Sequence, residues 1–326
     1  MAGHADSPAR RQSVGQPWRV HRSEGGIALM LVLWVVALLT IIAVGLTAAQ
    51  KTESTLAANQ IATARFRALA EAGINFTVLN LLAQSPLVQD DDLNSDLWVP
   101  DGFPRHWNFA GESMQITVVN ETSLIDLNKA GKEMLTALLT AAGVPVGEDE
   151  PLVDAILDWR DENDLHLLNG AEDADYEDAG MPYGAKDGPF DSVEELRQVL
   201  GFGRDLYRKL APVLTVDTGT VNVEREFAPP LVLAAVEGRS LEEVELLLEE
   251  QKAAADVLRG SEPMRPVNRG GPLYRIRIQH GGEGSPLLSM EALVSIEPTG
   301  GLPFRVRWRR YGLTAETPTL VDADQE

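Results

Sequence analysis

The sequence predicts an α+β protein: a long N-terminal helix packed on a small antiparallel sheet, with a large all-α segment inserted between strands of that sheet. Three observations support this fold class. An uncharged apolar run fills residues 25–50, a proline-free helical pattern continues to residue 85, and short strands of alternating residues follow. Helices and strands segregated along the chain in this way are typical of α+β folds.

The apolar run is long enough to cross a membrane. Residues 27–46 carry no charge, and a helix of that length spans about 30 Å, the thickness of a bilayer's hydrocarbon core. Residues 1–24 have four Arg against one Asp and one Glu, a net charge of +2, so residues 25–326 sum to −23 within the total of −21. Positive charge before a lone apolar helix keeps that end cytoplasmic, so the acidic remainder is expected across the membrane. The alternative, a cleaved secretory signal, is disfavoured because the run is long and no clean cleavage site follows it.

The membrane helix is predicted to continue beyond the bilayer. Residues 27–84 as one helix would be about 87 Å long. An amphipathic stripe is expected at Leu56, Ala64, Leu69, Ala72, Phe76, Leu79 and Leu82. Gly73 lies inside the helix, where glycine is about 1 kcal/mol less favourable than alanine, and it allows a local bend there.

Four stretches have the period-two pattern of strands. They are residues 113–120, 273–279, 291–297 and 304–311, with glycine pairs at 281–282 and 300–301 marking turns between the last three. Short adjacent strands predict an antiparallel meander. Residues 86–110, rich in Pro, Asp and Trp, are expected to form a loop.

The sequence pattern of residues 126–262 predicts helices. Because this block lies between strands of one sheet, it indicates an inserted domain. Ser192, with Glu195 three residues on, predicts a capped helix over 192–200. The sequence Gly201-Phe202-Gly203 and a second helix through Leu210 complete a helix-hairpin-helix pattern. Such a hairpin either holds a nucleic-acid phosphate or only turns the chain. The structural interpretation is favoured because the block is acidic and only three basic residues, Arg204, Arg208 and Lys209, lie near the hairpin.

The stretch that carries chemistry is an acidic loop. Nine of the 21 residues from Asp158 to Asp178 are Asp or Glu, against one Arg. Crowded carboxylates repel one another unless they are solvated or bound to a cation. Oxygen ligands at close spacing in a loop with Gly and Asn suit calcium, although the EF-hand pattern is absent. A solvated acidic loop is the alternative, and composition alone does not decide between the two.

The N-terminus resembles a type IV prepilin leader. Glu24-Gly25-Gly26 precedes Ile27-Ala28-Leu29, and the resemblance implies a cut between Gly26 and Ile27. Most pilin-like proteins have a glutamate at the fifth mature position, where this chain has Leu31. The K-type minor pseudopilins of the type II secretion system lack that glutamate. The runs DWRDEND and NGAED, followed by the Glu194-Glu195-Leu196 helix, are also similar to that family's signature.

This resemblance implies a domain organisation and a metal site. The expected parts are a leader (1–26), a transmembrane part of the helix (27–50), a periplasmic helix, loop and first strand of a pilin-like domain (51–125), an inserted α-helical domain with helix-hairpin-helix or SAM-like units (126–262), and the remaining strands (263–326). The family binds calcium in the acidic loop, in a structural role. The expected ligands are Asp158, Asp161, Asp164, Glu172 and Asp173, with Asp187 as a sixth at a position where asparagine is expected.

The resemblance also implies a function. The chain would be a structural minor pseudopilin at the pseudopilus tip, helping to initiate the fibre that exports folded proteins across the outer membrane. Its expected partners are the I- and J-type minor pseudopilins, the pseudopilus, prepilin peptidase and the inner membrane, with the bulk of the chain periplasmic. No enzyme motif is present, so no catalytic residue and no nucleic-acid partner is expected. The alternative is a membrane-anchored receptor that captures DNA through the hairpin.

Overall fold

The computed structural model describes residues 25–82, 98–258, 268–281, 288–297 and 302–313. The predicted leader residues 1–24, the glycines at 282 and 300–301, and the predicted boundary at 262–263 lie outside these ranges. Two compact units are present, residues 1–62 and residues 63–326.

The N-terminal helix α1 spans Gly25–Leu82 and has 58 residues, close to the predicted 27–84. Its most apolar window has a mean hydropathy of 2.9, and none of that window is buried in the protein. By length and composition, α1 is the one helix among the described residues that can cross a membrane. The predicted cleavage position between Gly26 and Ile27 lies in its first turn.

The C-terminal part of α1 packs on the sheet through a stripe that differs from the predicted one. The buried residues are Phe66, Leu69, Ala70, Gly73, Ile74, Thr77, Val78 and Leu81. Of the predicted stripe, Leu69 is buried, Ala72, Phe76 and Leu82 are half-buried, and Phe76 and Leu82 pack against the core. The prediction is wrong at Leu56, Ala64 and Leu79, which are exposed. These three residues lie off the face that the buried set defines by its spacing of three and four.

Gly73 does not mark a break in α1, because the helix is continuous through it. A Cβ atom at this position would lie 2.7 Å from Ile278 Cδ1 and 3.3 Å from Ile116 Cδ1. Real side chains do not approach so closely. Glycine therefore serves close packing of helix on sheet rather than bending.

The sheet has five antiparallel strands in the order β1-β2-β5-β6-β7. Their bounds are β1 Asp101–Phe109, β2 Glu112–Asn120, β5 Leu273–His280, β6 Leu288–Ser295 and β7 Arg305–Leu313. Ile116 lies opposite Ile278, and Ile276 opposite Ala292, so one face presents a continuous apolar surface to α1. The predicted meander and its four strands are confirmed.

Strand β1 was not predicted, because it lies within the expected loop 86–110. The register shifts between Asp101 and Pro104, as happens at a bulge. Proline is tolerated here because β1 is an edge strand. Aromatic stacking holds the strand in place: the Trp107 ring lies 4.9 Å from Phe76 and 5.0 Å from Phe109. Packing of these rings outweighs the turn-forming composition of the stretch.

A helical segment connects β2 to β5 and has its own buried apolar cluster. Its elements are β3 Ile125–Asp126, α2 Lys132–Ala141, α3 Asp149–Arg160, α4 Asp173–Asp178, α5 Arg204–Leu210, β4 Leu214–Thr215, α6 Pro230–Glu237 and α7 Leu241–Leu258, with short 3-10 turns at 121–123, 193–197 and 211–213. Strands β3 and β4 form a two-residue parallel pair, so the segment is not all-α as predicted. Its status as a separate domain stays a prediction.

The predicted helix over 192–200 is a 3-10 turn, Val193–Arg197. Ser192 occupies the N-cap position but makes no side-chain cap bond. Glu195 does not complete a capping box, because its carboxylate instead accepts from Lys186 Nζ at 2.8 Å and from the Asp191 N–H at 3.0 Å. Gly201 follows at φ +87°, and α5 starts at Arg204. The helix-hairpin-helix unit therefore stays a prediction.

Polar contacts join the helical segment to the other face of the sheet. Buried Glu121 accepts hydrogen bonds from Thr215 at β4 and from Arg275 on β5. On β7, Trp308 Nε1 donates to Asp217 at 3.1 Å, and Arg310 lies 3.3 Å from Glu194. The face that packs on α1 is mainly apolar, with added ion pairs from Arg65 to Glu112 and from Arg309 to Glu71. The other face contacts the helical segment through the polar groups named above.

Candidate cation site

Asp158 lies in the last turn of α3, and its side chain is fully buried. Its carboxylate accepts from the N–H of Leu167, with Oδ2 at 3.0 Å, and from the backbone of Ala171. A Cβ on residue 170 would lie 1.7 Å from Asp158 Oδ2, so only Gly170 leaves room for the carboxylate. Burial raises the pKa of Asp158 despite these hydrogen bonds, and the neighbouring Asp161 raises it further.

Glu172 is the N-cap of α4 and forms a reciprocal capping box with Asp175. Its side chain is involved in this cap, but Oε1 is buried and has no hydrogen-bond partner. The residue is 7% exposed. Burial raises the pKa of Glu172 to about 7, and Asp158, Asp187, Asp161 and Asp164 raise it in that order of effect. A buried carboxylate oxygen that has no partner and is surrounded by carboxylates costs free energy, and a nearby positive charge would lower that cost.

Asp173 and Asp187 lie on two segments that approach each other. A Cβ on residue 184 would lie 1.8 Å from Asp173 Oδ1, so Gly184 admits the aspartate as Gly170 does for Asp158. Asp187 has a left-handed backbone with φ of +52°, which few non-glycine residues adopt. Desolvation raises the pKa of Asp187, and Asp173, Asp164 and Asp161 add to the effect.

The loop after α3 brings Asp161 and Asp164 into the same electrostatic neighbourhood. Asp161 Oδ1 accepts from the N–H of Asn163 at 3.0 Å and from its Nδ2 at 2.8 Å. Asn163 in turn accepts from the N–H of Leu165 at 3.1 Å. These turns hold the loop locally, while Asp164 stays exposed.

The six predicted residues therefore fall in one region, since each of Asp158, Asp161, Asp164, Asp173 and Asp187 acts on Glu172 or on Asp187. They do not form a ready-made metal site. Among the described residues, no three His, Cys, Asp or Glu side chains are arranged closely enough to hold an ion. The donor set consists entirely of carboxylate oxygens, which calcium prefers. The unpartnered Oε1 of Glu172 is consistent with such an ion, as is the space that Gly170 and Gly184 leave for the carboxylates of Asp158 and Asp173.

Three residues that support this region were missed from the sequence. Gly170 and Gly184 admit the carboxylates of Asp158 and Asp173, and Lys186 ties down the loop beside Asp187. The sequence contained a feature that could have identified the two glycines, because each one lies within the acidic loop or shortly after it. It contained no such feature for Lys186, because the partners of Lys186 lie five and nine residues away with no periodic pattern.

The basic residues near the predicted hairpin are only partly available to a ligand. Lys209 Nζ donates to the carbonyl of Ala142 at 2.6 Å. Arg208 lies 3.9 Å from Asp205, its neighbour on α5, and both side chains are largely exposed. Of these residues, Lys209 is therefore the one that is tied to the protein.

Comparison with known proteins places this region in a family. A family model described as "Type II secretion system (T2SS), protein K" matches residues 117–218, about a third of the chain. Type II secretion system protein K of Pectobacterium carotovorum subsp. carotovorum is 33% identical over 122 residues, 36% of this chain and 37% of the relative. The protein of the same name from Klebsiella pneumoniae is 28% identical over 226 residues, 62% of this chain and 66% of the relative. The chain thus aligns with about a third of the length of the first curated relatives it matches.

A solved structure is similar in fold. It is the crystal structure of the GspK-GspI-GspJ complex from the enterotoxigenic Escherichia coli type 2 secretion system. One of its chains superposes with a TM-score of 0.57 at 16% identity, covering 78% of this chain and 99% of that chain. An N-terminal apolar helix with an antiparallel sheet is consistent with that fold. Residues 117–218, which match the protein K family model of the type II secretion system, contain all six candidate ligands of the cation site.

Proposed function

We propose that this chain is a minor pseudopilin of type II secretion, a structural protein of the machinery rather than an enzyme. The observation that carries the proposal is the match of residues 117–218 to the protein K family model, together with a 58-residue helix at Gly25–Leu82 whose first half is apolar and exposed. The curated relatives are named as secretion-system proteins. The apolar helix fits an inner-membrane anchor.

The anchor would be processed before assembly. Prepilin peptidase would cut between Gly26 and Ile27, leaving the apolar part of α1 in the membrane and the acidic remainder in the periplasm. The resemblance of residues 24–29 to a prepilin leader and the positive charge of residues 1–24 support this topology.

We place the chain at the tip of the fibre. A subunit stacked above this chain would carry an N-terminal amine that a glutamate at the fifth mature position of this chain would have to neutralise. That position is Leu31, which is apolar and 63% exposed. The helical segment between β2 and β5 adds bulk that would obstruct a subunit above. The I- and J-type minor pseudopilins are the proposed partners, because the solved complex of similar fold contains those proteins.

Intact mass spectrometry and a secretion assay test this proposal. The chain would be expressed in cells lacking their own K protein, with and without prepilin peptidase. We expect loss of residues 1–26 only when the peptidase is present, restored secretion, and co-purification with I- and J-type minor pseudopilins. An uncut chain that restores no secretion would contradict the proposal.

The acidic region is proposed to bind calcium in a structural role. The buried, unpartnered Oε1 of Glu172 and the carboxylates around it support this proposal. Asp158, Asp161, Asp164, Glu172, Asp173 and Asp187 would hold the ion, which would neutralise their mutual repulsion and stabilise the folded loop. Calorimetric titration with calcium tests it, and magnesium is the control, since its smaller octahedral shell suits a crowded carboxylate loop less well. Absence of calcium binding would refute it.

A DNA-capturing receptor is the competing function and has less support. Its hairpin would need free cations to contact phosphates, and Lys209 already donates to a backbone carbonyl. The block that contains the hairpin is also acidic, which disfavours phosphate binding. Electrophoretic mobility shift with double-stranded DNA at low salt separates the two functions, because the pseudopilin proposal expects no shift.

A further inference from the structure

The loop that carries Asp187 is held by a lysine that the proposed cation site does not use as a ligand. Lys186 Nζ lies 2.7 Å from Asp191 Oδ2 and 2.8 Å from Glu195 Oε2. The other oxygen of Glu195 accepts from the N–H of Asp191 at 3.0 Å. Lys186, Asp191 and Glu195 therefore close the short loop between them, and we name these three residues the lysine staple.

The contact between Lys186 and Glu195 is the shielded part of the staple. The Lys186 side chain is 26% exposed and that of Glu195 is 14% exposed, so this pair is largely shielded from water. The Asp191 side chain is 85% exposed, so its ion pair with Lys186 lies at the surface. Shielded, hydrogen-bonded ion pairs hold a geometry better than solvated ones do. Asn128 fixes the far end of the loop, because its side chain donates to the Phe190 carbonyl at 2.9 Å and accepts from the Phe190 N–H at 2.7 Å.

Asp187 lies between these fixed points in a conformation that a free loop does not favour. Its φ of +52° is in the left-handed region, which persists in a non-glycine residue only when the surroundings enforce it. On the other side, the Gly184 backbone lies against Asp173. The lysine staple and the two hydrogen bonds between Asn128 and Phe190 thus hold the loop so that Asp187 lies near the other acidic residues.

We infer that Lys186 is a positioning residue for the cation site, acting through Asp187 and not through its own charge. The inference rests on the proposed calcium site. Groups that orient metal ligands from outside typically change metal affinity about 10- to 100-fold when they are removed.

The sign of the effect separates positioning from simple electrostatics. Removing a positive charge beside an anionic site would tighten cation binding if charge alone mattered. Removing a positioning residue weakens binding, because Asp187 then relaxes to an ordinary backbone conformation. The two explanations predict opposite results for one variant.

The experiment measures calcium affinity of the full-length, detergent-solubilised chain by calorimetric titration. Lys186→Met removes the staple, and Lys186→Arg keeps the charge and the donors. Lys209→Met is the matched control, because it removes one positive charge and one internal hydrogen bond elsewhere in the helical segment. We expect Lys186→Met to raise the Kd for calcium about 10- to 100-fold, with substantial recovery in Lys186→Arg and no such rise in Lys209→Met.

Hydrogen exchange gives a second readout that does not need the ion. In the presence of a chelator, the amides of residues 184–188 and of Phe190 are expected to exchange faster in Lys186→Met than in wild type or Lys209→Met. Wild-type or tighter calcium affinity in Lys186→Met would overturn the inference, as would an equal loss in Lys209→Met. If wild type itself binds no calcium, the cation site fails and the inference fails with it. Faster exchange would then establish only a structural staple, and the pseudopilin role would be untouched.

Discussion

Glu121 and Glu172 are both buried glutamates in the part of the chain between β2 and β5, but their surroundings differ in charge. Glu121 is 0% exposed and faces Arg275, which reaches it from the centre of the sheet. Glu172 is 7% exposed, and the charged groups that act on it most strongly are other carboxylates. Burial raises the pKa of both residues. For Glu121 the chain supplies the counter-charge, whereas the Glu172 carboxylate is neutralised by a proton or by a cation from solution.

The largest effect is expected when the internal counter-charge is removed. Arg275→Met leaves Glu121 buried without its cation, which typically destabilises a protein by about 3–5 kcal/mol. The loss should be the same with calcium and with a chelator, because the Glu121–Arg275 ion pair lies within the chain and includes no residue of the proposed cation site. Urea unfolding of the solubilised protein measures it. Arg277→Met, which breaks a more exposed pair with Glu291 on the same sheet, serves as control and should cost at most about 1 kcal/mol. A calcium-dependent loss in Arg275→Met would contradict this account.

Glu172→Gln should change stability in opposite directions with and without calcium. The pKa of Glu172 is about 7 in the folded chain against 4.5 ordinarily, so the folded state holds the proton more tightly. Stability of the calcium-free protein is therefore highest below pH 4.5 and falls as pH rises through 7, by up to about 3 kcal/mol from this group. Glutamine does not ionise, so Glu172→Gln lacks this pH-dependent loss of stability. The variant should therefore be more stable than wild type in chelator at pH 8.

With calcium present, the same variant should be the less stable, because it lacks one ligand. Thermal unfolding at pH 5 and pH 8, with calcium and with chelator, measures both effects. Glu177→Gln, at an exposed position of α4, is the control and should change neither. If Glu172→Gln is destabilising in chelator at pH 8, the charge repulsion described for this region is wrong.

Gly170→Ala tests whether the carboxylate cradle is required. The added methyl would meet Asp158 Oδ2 at 1.7 Å, and forcing extra atoms into a packed site typically costs about 1–3 kcal/mol. We expect calcium binding to weaken as well, because Asp158 must move. Gly188→Ala is the matched control, since its Cβ would have nothing nearer than the Lys186 carbonyl at 3.9 Å. Wild-type calcium affinity in Gly170→Ala would show that Asp158 is not a ligand.

The smallest effect is expected at the apolar contact between α1 and the sheet. Gly73→Ala places a methyl 2.7 Å from Ile278 Cδ1, the end of a flexible side chain, and the gain in helix propensity offsets part of the strain. A net loss of about 1 kcal/mol is expected. It should be independent of calcium and pH, because no charge is involved. Differential scanning calorimetry at two calcium concentrations checks this, and a calcium-dependent shift would mean that the two regions are coupled.

The fold was predictable where pattern and length coincide. The 58-residue α1 follows from an uncharged apolar run and a long stretch without proline, and the four regular strands follow from period-two alternation. Strand β1 was not predictable from the same rule, since Gly102 and Pro104 break the alternation and the ring of Trp107 packs on a residue of α1. That contact is long-range, and local sequence does not contain it.

The candidate site was predictable in composition but not in arrangement. Crowding of Asp and Glu between residues 158 and 178 marks the region, and the resemblance to a family selects the six carboxylates. The orphan oxygen of Glu172 and the left-handed backbone of Asp187 depend on how separate segments meet. The same holds for the reach of Lys186 to Glu195, which no spacing rule describes.

The short parallel pair of β3 and β4 has a consequence for the stretch that it encloses. Ile125 lies beside Leu214, and Asp126 beside Thr215, so residues 127–213, which carry the acidic loop, begin and end side by side. The N–H of Glu224 also donates to the carbonyl of Thr122 at 2.9 Å. Strands β2 and β5 pair directly with each other, so the enclosed stretch can change in length without altering the register of the sheet.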